Sequence, residues 1–182
     1  MKTMCTSIIR LHAPLEKDNI MPLRVGDRVL LSGVIYTARD AAHKKMFEAI
    51  ESGKDLPFDI KGAVIYYAGP TPARPGDVIG SVGPTTSYRM DKYTPALIEL
   101  GLLGMIGKGR RNDLISTSCA KYGSVYFGAV GGCGALISKC IKECQVIAYD
   151  ELGSEAVRKL TVEDFPLTVI TDSTGQNLFD TR

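Results

Sequence analysis

The sequence predicts an α/β fold, and three observations carry that reading. Short apolar runs rich in branched residues alternate along the chain with segments of helical periodicity. Gly-Pro and Gly-Lys-Gly turns close several of the runs. The first strand–helix junction, Ile35 to Asp40, lacks the glycine fingerprint that cradles a pyrophosphate, so a standard dinucleotide fold is not expected. With 182 residues and no linker, repeat or low-complexity block, one domain spanning 1–182 is expected.

Val29 to Thr37 follows the turn-like Gly26-Asp27 and reads as a strand. Arg39 to Ser52 reads as a helix: Thr37 is a candidate N-cap with Asp40 three residues on, Ala42, Met46 and Ile50 share a face, and Gly53 can close it. Ala63 to Ala68 is a second strand, followed by an exposed loop over Thr71 to Gly76. Val78 to Val82 reads as a short strand ending at Gly83-Pro84. A helix is expected over much of Arg89 to Leu100, with Thr94-Pro95 as a possible new start. Strands then follow at Leu102 to Ile106 and Val125 to Val130, with a helix near Asp113 to Lys121 between them. Ala135 to Lys142 reads as a helix and Val146 to Tyr149 as a strand. The tail gives a strand over Leu167 to Thr171 and a turn over Asp172 to Gly175.

Composition narrows the classes of function. The chain is 45% hydrophobic and 23% charged, ordinary for a globular protein. A formal charge of +2 without a dense Lys/Arg run argues against nucleic acid. Apolar stretches fall short of bilayer length, so no membrane span is expected, and the Met1–Cys5 start leads to a run broken by Arg10 without a signal-peptide core. The odd, irregularly spaced Cys5, Cys119, Cys133, Cys140 and Cys144 predict reduced thiols and a cytoplasmic location. Cys140 and Cys144 share one face of a predicted helix; two thiols without nearby histidines make a poor zinc site, and helix-core cysteines are expected. The glycine run Gly128 to Gly134 matches no phosphate loop and reads as close backbone packing.

Three strand ends each carry a cation or a hydroxyl set before a predicted helix. The densest is Gly83-Pro84-Thr85-Thr86-Ser87-Tyr88-Arg89-Met90-Asp91, in which hydroxyls are placed to open a helix and Arg89 offers a planar fork for a carboxylate. The plainer reading of that segment is a capped helix with a surface arginine. The others are Thr37 to His43, with Arg39, and Gly107-Lys108-Gly109-Arg110. Ligands of open α/β sheets collect outside the carboxyl ends of strands, so Arg39, Arg89 and Lys108 are expected to converge on a small dianion. Each charged hydrogen bond would contribute about 1.5–3 kcal/mol when sheltered. His43 lies one turn beyond Arg39, where it can hold a carboxylate, orient a partner or make a structural hydrogen bond.

Taken together, Arg39-Asp40-Ala41-Ala42-His43, Gly83-Pro84-Thr85-Thr86 with Arg89-Met90-Asp91, Gly107-Lys108-Gly109, Glu151-Leu152-Gly153 and Val162-Glu163-Asp164-Phe165-Pro166 carry a resemblance. From about Val25 to Phe179 the chain resembles the β subunit, equivalently the C-terminal domain, of class I iron–sulfur-dependent fumarate hydratase, with the tartrate dehydratase β subunit a close relative. The resemblance implies a swivelling β/β/α domain that closes over a [4Fe–4S] cluster held by an α subunit, in an α2β2-type assembly. It implies that Arg39, Arg89 and Lys108 bind the dicarboxylate and that Thr85 takes part in proton transfer; beside these, His43, Thr86 and Asp91 are expected to support the site. The implied reaction is reversible addition of water to fumarate, with an open iron as Lewis acid and the cations stabilising a carbanion-like intermediate. This chain is then expected to hold no metal and to be active only with its partner. Cys133 departs from the small or proline residue expected in the glycine turn. Arg39 to His43, Asp91 and Tyr149 to Gly153 favour fumarate and malate; tartrate and a methylated fumarate stay open. A reading from another class is a non-catalytic binding or assembly module whose cationic cleft holds a dicarboxylate as a signal.

Overall fold

A computed structural model of the chain describes residues 8–130 and 132–180. Cys5 and the N-terminal start lie outside the described residues, as does Gly131 of the glycine run. Seven strands are present: β1 Ile9–Ala13, β2 Arg28–Thr37, β3 Val64–Tyr66, β4 Gly104–Gly107, β5 Val125–Gly128, β6 Ile141–Ala148 and β7 Val157–Thr171. The helices are α1 Lys17–Ile20, α2 Asp40–Glu51, α3 Thr94–Glu99, α4 Asp113–Tyr122 and α5 Gly134–Ile137, with 3-10 turns at Ser87–Met90, Ser138–Cys140, Asp150–Glu155 and Leu178–Asp180.

The strands form one sheet in the order β1-β2-β3-β4-β5-β7-β6, in which β7 also pairs with β2. Strands β1 to β5 run parallel, while β7 is antiparallel to β2, β5 and β6. The sheet therefore closes on itself through β7 into a barrel-like ring, which leaves few exposed edges. The fifteen residues of β7 reach all three partners by bending: Asp164 adopts φ 50° and its N–H donates to Ser32 Oγ at 3.0 Å, opposite a register shift between Leu31 and Gly33. Gly33 is required at that bend, since φ is 105° and a Cβ would lie 2.2 Å from the Ala13 carbonyl oxygen.

Alternation along the strands builds two apolar clusters, because successive strand residues point to opposite faces. Val64, Tyr66, Ile106, Val125 and Phe127 join Leu31, Ile35, Leu160 and Phe165 on one face. Ile65, Tyr67, Met105 and Tyr126 join Met46 of α2, Leu97 and Ile98 of α3, and Ile115 of α4 on the other. Burial on both faces is why the parallel strands read as continuous apolar runs.

The α/β class and most elements agree with the sequence, and several expectations are corrected. Residues 78–82 run irregularly, in a Pro/Gly-rich loop tied by Thr71 N–H to the Ser81 carbonyl at 3.0 Å. The segment after Gly83 opens a four-residue 3-10 turn, and the regular helix restarts at Thr94 with Pro95 in its first turn, where its missing N–H costs nothing. The helix expected over Ala135 to Lys142 stops after one turn and gives way to β6 at Ile141. Cys144 thus faces Leu160 across a ladder, and Cys140 and Cys144 are not on one helix. Thr37 ends β2 instead of capping α2: its Oγ1 accepts Arg158 N–H at 3.2 Å, and Arg39 occupies the cap position. The tail strand expected at Leu167 begins ten residues earlier, at Val157, and β1 is an element the sequence did not announce. Among the described residues no helix is long and apolar enough to cross a membrane.

Candidate active site

Strands β2, β3 and β4 are parallel neighbours whose ends align in register, so the segments leaving them meet on one edge of the sheet. Arg39 leaves β2. The segment after β3 returns so that Thr85 N–H donates to the Tyr67 carbonyl at 2.7 Å, and Ala68 bridges Pro84. Lys108 leaves β4, where its backbone bridges Thr86; Ser87 N–H donates to the Lys108 carbonyl, and Lys108 N–H donates to Ser87 Oγ, each at 3.0 Å. That approach needs Gly107, because a Cβ there would stand 1.9 Å from Ser87 Oγ.

The side chains gather around Asp40. Arg89 Nε lies 3.3 Å from Asp40 Oδ1, and Arg39 Nε lies 3.8 Å from Asp40 Oδ2. Arg89 Nη2 donates to Thr85 Oγ1 at 3.0 Å. Glu155 reaches over from the 3-10 turn before β7, with Oε1 3.5 Å from Arg39 Nη2 and Oε2 accepting Ala41 N–H at 2.9 Å at the start of α2. Lys108 is exposed and has no carboxylate partner among the described residues. Arg39 Nε and Asp40 Oδ2 are buried atoms without a hydrogen-bond partner among them. The geometry leaves guanidinium edges and an ammonium open to an anion that carries more than one acceptor.

His43 does not contribute a charge. Its side chain is fully buried, and burial lowers its pKa to about 4. Nδ1 lies 2.9 Å from the Arg39 carbonyl, which can only accept, so Nδ1 carries the proton and the ring fixes the backbone of Arg39. The ring rests edge-on against Tyr67 at 5.2 Å between centroids. Of the two further residues expected to support the site, Thr86 contributes its backbone to the Lys108 bridge, and Asp91 points inward to Arg111. The hydroxyl row does not cap a long helix as expected; Ser87 instead serves the Lys108 backbone and the Tyr126 phenol.

Glu155, Tyr67, Tyr126 and Arg111 escaped the sequence reading, while Asp40 and Ser87 figure in it only as helix-opening residues. Arg111 gave a signal in its place three residues after Lys108, but nothing local distinguishes it from a surface arginine such as Arg110. Cys119 is buried, and burial pushes its thiol up to about 12, so it is inert. Among the described residues no group of three or more His, Cys, Asp or Glu is placed to hold a metal.

The comparisons with known proteins point one way. The family described as Fumarase C-terminus matches residues 2–182. The anaerobic class I fumarate hydratase of Escherichia coli (strain K12) is 43% identical over 157 residues, covering 85% of this chain but 29% of that protein. Fumarate hydratase 2 of Leishmania major is 38% identical over 175 residues, covering 94% of this chain and 31% of that protein. The chain thus spans about three-tenths of the length of these fumarate hydratases. A putative L(+)-tartrate dehydratase subunit beta of Methanocaldococcus jannaschii is 41% identical over 172 residues, and there the match covers 91% of this chain and 88% of the relative. With the motif-bearing strand ends gathered at one edge and the family model matching residues 2–182 of this chain, the chain belongs to the fumarase C-terminus family.

Proposed function

We propose that this chain is the β subunit of an iron–sulfur hydro-lyase that interconverts fumarate and malate, the fumarate–malate step of the tricarboxylic acid cycle. What supports the reading is that Arg39, Arg89 and Lys108 lie on the segments leaving three neighbouring parallel strands, with Arg39 and Arg89 joined through Asp40, Arg89 bonded to Thr85, and the Lys108 backbone bridged to Thr86. Two guanidinium groups and an ammonium match the two ends of a short dicarboxylate, and they stabilise negative charge that grows as a proton leaves the carbon. Thr85 alone is a very weak base. Arg89 Nη2 donates to its oxygen at 3.0 Å, which favours negative charge there and supports a proton-transfer role. His43, neutral and buried, and Glu155 position Arg39 from behind.

The described residues of this chain offer no ligand set for a [4Fe–4S] cluster. The cluster belongs on an α subunit, in an α2β2 assembly in the cytoplasm, and the part of this chain is to bind and orient the dicarboxylate. The whole chain acts as one swivelling domain that closes the cation edge over the substrate and excludes water. The Methanocaldococcus jannaschii relative is itself named a subunit beta, which supports the β-subunit reading. That match also favours tartrate as the second reading.

The test is anaerobic co-expression with a cluster-bearing subunit, followed by assays of fumarate hydration and of malate and L(+)-tartrate dehydration. Hydratase activity that appears with the complex and is absent from the chain alone is expected, with fumarate the better substrate. Turnover by the chain alone would overturn the division of labour, and a higher kcat/KM for tartrate would move the assignment to the second reading. Dicarboxylate binding without turnover by the complex would leave a binding module.

A further inference from the structure

Behind the exposed cations lies an arginine that reaches no solvent. Arg111 leaves the Lys108 turn and runs inward; its side chain is 0% exposed, and that of its partner Asp91 is 6% exposed. Arg111 Nε donates to Asp91 Oδ1, Nη2 donates to Thr94 Oγ1 at 3.0 Å, and Nη1 donates to Tyr67 Oη at 3.3 Å. The guanidinium carbon lies 5.1 Å from the centre of the Tyr67 ring and 5.1 Å from that of Tyr126, so cation–π attraction acts from both. The other oxygen of Asp91 accepts Asn112 N–H at 2.8 Å, and Thr94 Oγ1 passes its own proton to the Met90 carbonyl at 2.9 Å.

This cluster touches every segment that carries a cation. Asp91 stands two residues after Arg89, and Arg111 three residues after Lys108. Tyr126 Oη lies 3.0 Å from both the Gly109 carbonyl and Ser87 Oγ. A phenol has one proton and a carbonyl can only accept, so Tyr126 donates to Gly109 and receives the Ser87 proton. Ser87 Oγ in turn accepts Lys108 N–H. On the third side His43 packs on Tyr67 and holds the Arg39 carbonyl. An ion pair this deep is weak support for stability, because apolar side chains of the same volume often serve as well. What it adds is direction: a planar fork with several fixed partners admits one arrangement of the turns it joins.

We propose that Arg111, clamped between Tyr67 and Tyr126 and paired with Asp91, is a positioning residue that sets Arg89 and Lys108 at the spacing a small dicarboxylate requires. It acts through these two turns and touches no substrate. The proposal rests on the dicarboxylate reading above, so its test carries one arm that needs no substrate.

The experiment uses the complex with the cluster-bearing subunit and the double variant Arg111→Met/Asp91→Asn. This variant removes both charges, fills the space between the tyrosines and keeps an acceptor for Asn112 N–H. The melting temperature is expected to stay close to wild type while amide hydrogen exchange quickens in residues 84–91 and 107–112 and stays unchanged in the rest of the sheet. KM for fumarate is expected to rise about tenfold or more, with a smaller change in kcat. Arg111→Lys, which restores the charge without the fork, should not rescue KM. Unchanged exchange in both turns overturns the proposal, and so does faster exchange with unchanged KM or rescue by lysine. If the double variant fails to fold, Tyr126→Phe removes only the hydroxyl between Ser87 and Gly109, and the same outcomes apply. If the wild-type complex turns over no dicarboxylate, the functional reading fails, and the exchange arm alone decides for or against Arg111.

Discussion

Around the candidate site arginine meets carboxylate at two depths. At the front, Asp40 lies between Arg39 and Arg89 at 3.8 and 3.3 Å, with 35% and 38% of the Asp40 and Arg89 side chains exposed. At the back, Arg111 and Asp91 are buried, and the guanidinium is engaged on every side. Exposed pairs contribute about 0–1 kcal/mol, so the half-exposed Arg89–Asp40 contact can give way to an incoming carboxylate at small cost. Breaking a buried pair from one side strands a charge and costs about 3–5 kcal/mol. The molecule is looser where the proposed dicarboxylate would arrive and fixed where the loops are set.

The largest effect should come from the back. Asp91→Ala leaves Arg111 buried without a counter-charge, and unfolding by denaturant should show a loss of about 3–5 kcal/mol. A loss under about 1 kcal/mol would erase the contrast with the front pairs. Next in size is Arg89→Lys, which keeps the charge and loses the fork. In steady-state assays of the complex kcat/KM should fall about tenfold to hundredfold, or about 1.5–3 kcal/mol, while the melting temperature holds. Near-wild-type kcat/KM would sink the two-pronged grip.

His43 links the two depths and gives a pH signature. Its ordinary pKa of 6.5 is lowered by burial to about 4 in the folded chain. Between those values the unfolded chain binds a proton that the folded chain refuses. The contribution is therefore fully present above pH 6.5 and is lost as the pH falls toward 4, by at most about 1.4 kcal/mol per pH unit. Unfolding free energies of wild type and His43→Phe at neutral and mildly acidic pH should show a shallower slope in the variant. Equal slopes would mean that His43 is protonated in place. The smallest effect is expected from Asp40→Asn. Stability should change by less than about 1 kcal/mol, and KM for the dicarboxylate should fall by a factor of about two to five as an internal competitor is neutralised. A rise in KM would instead make Asp40 an aligning residue like those at the back.

Elements whose signals are local were legible. The strand over β2, the helix after it and the helix over Asp113–Tyr122 follow from branched runs, face periodicity and, for the first helix, the closing Gly53, all within a few positions. Elements whose state depends on a distant partner were not. Cys144 lies in a segment short enough to read either way, and pairing with Leu160 decided for strand. Val78 to Val82 has strand-like residues but sits in an irregular loop between prolines.

The same division runs through the candidate site. The sequence by itself determined the chemistry: two arginines, a lysine and a row of hydroxyls at strand ends, with the lysine between two glycines and the hydroxyls directly after Gly83-Pro84. Those properties belong to single residues and near neighbours. Only the tertiary structure decided that Asp40 sits between the two front arginines, that His43 is neutral, and that Arg111 is wholly buried while Arg110, beside it, is exposed. Burial and pairing are sums over atoms distant in sequence. Closing the sheet through β7 brings those atoms together and sets how strongly each charge is felt.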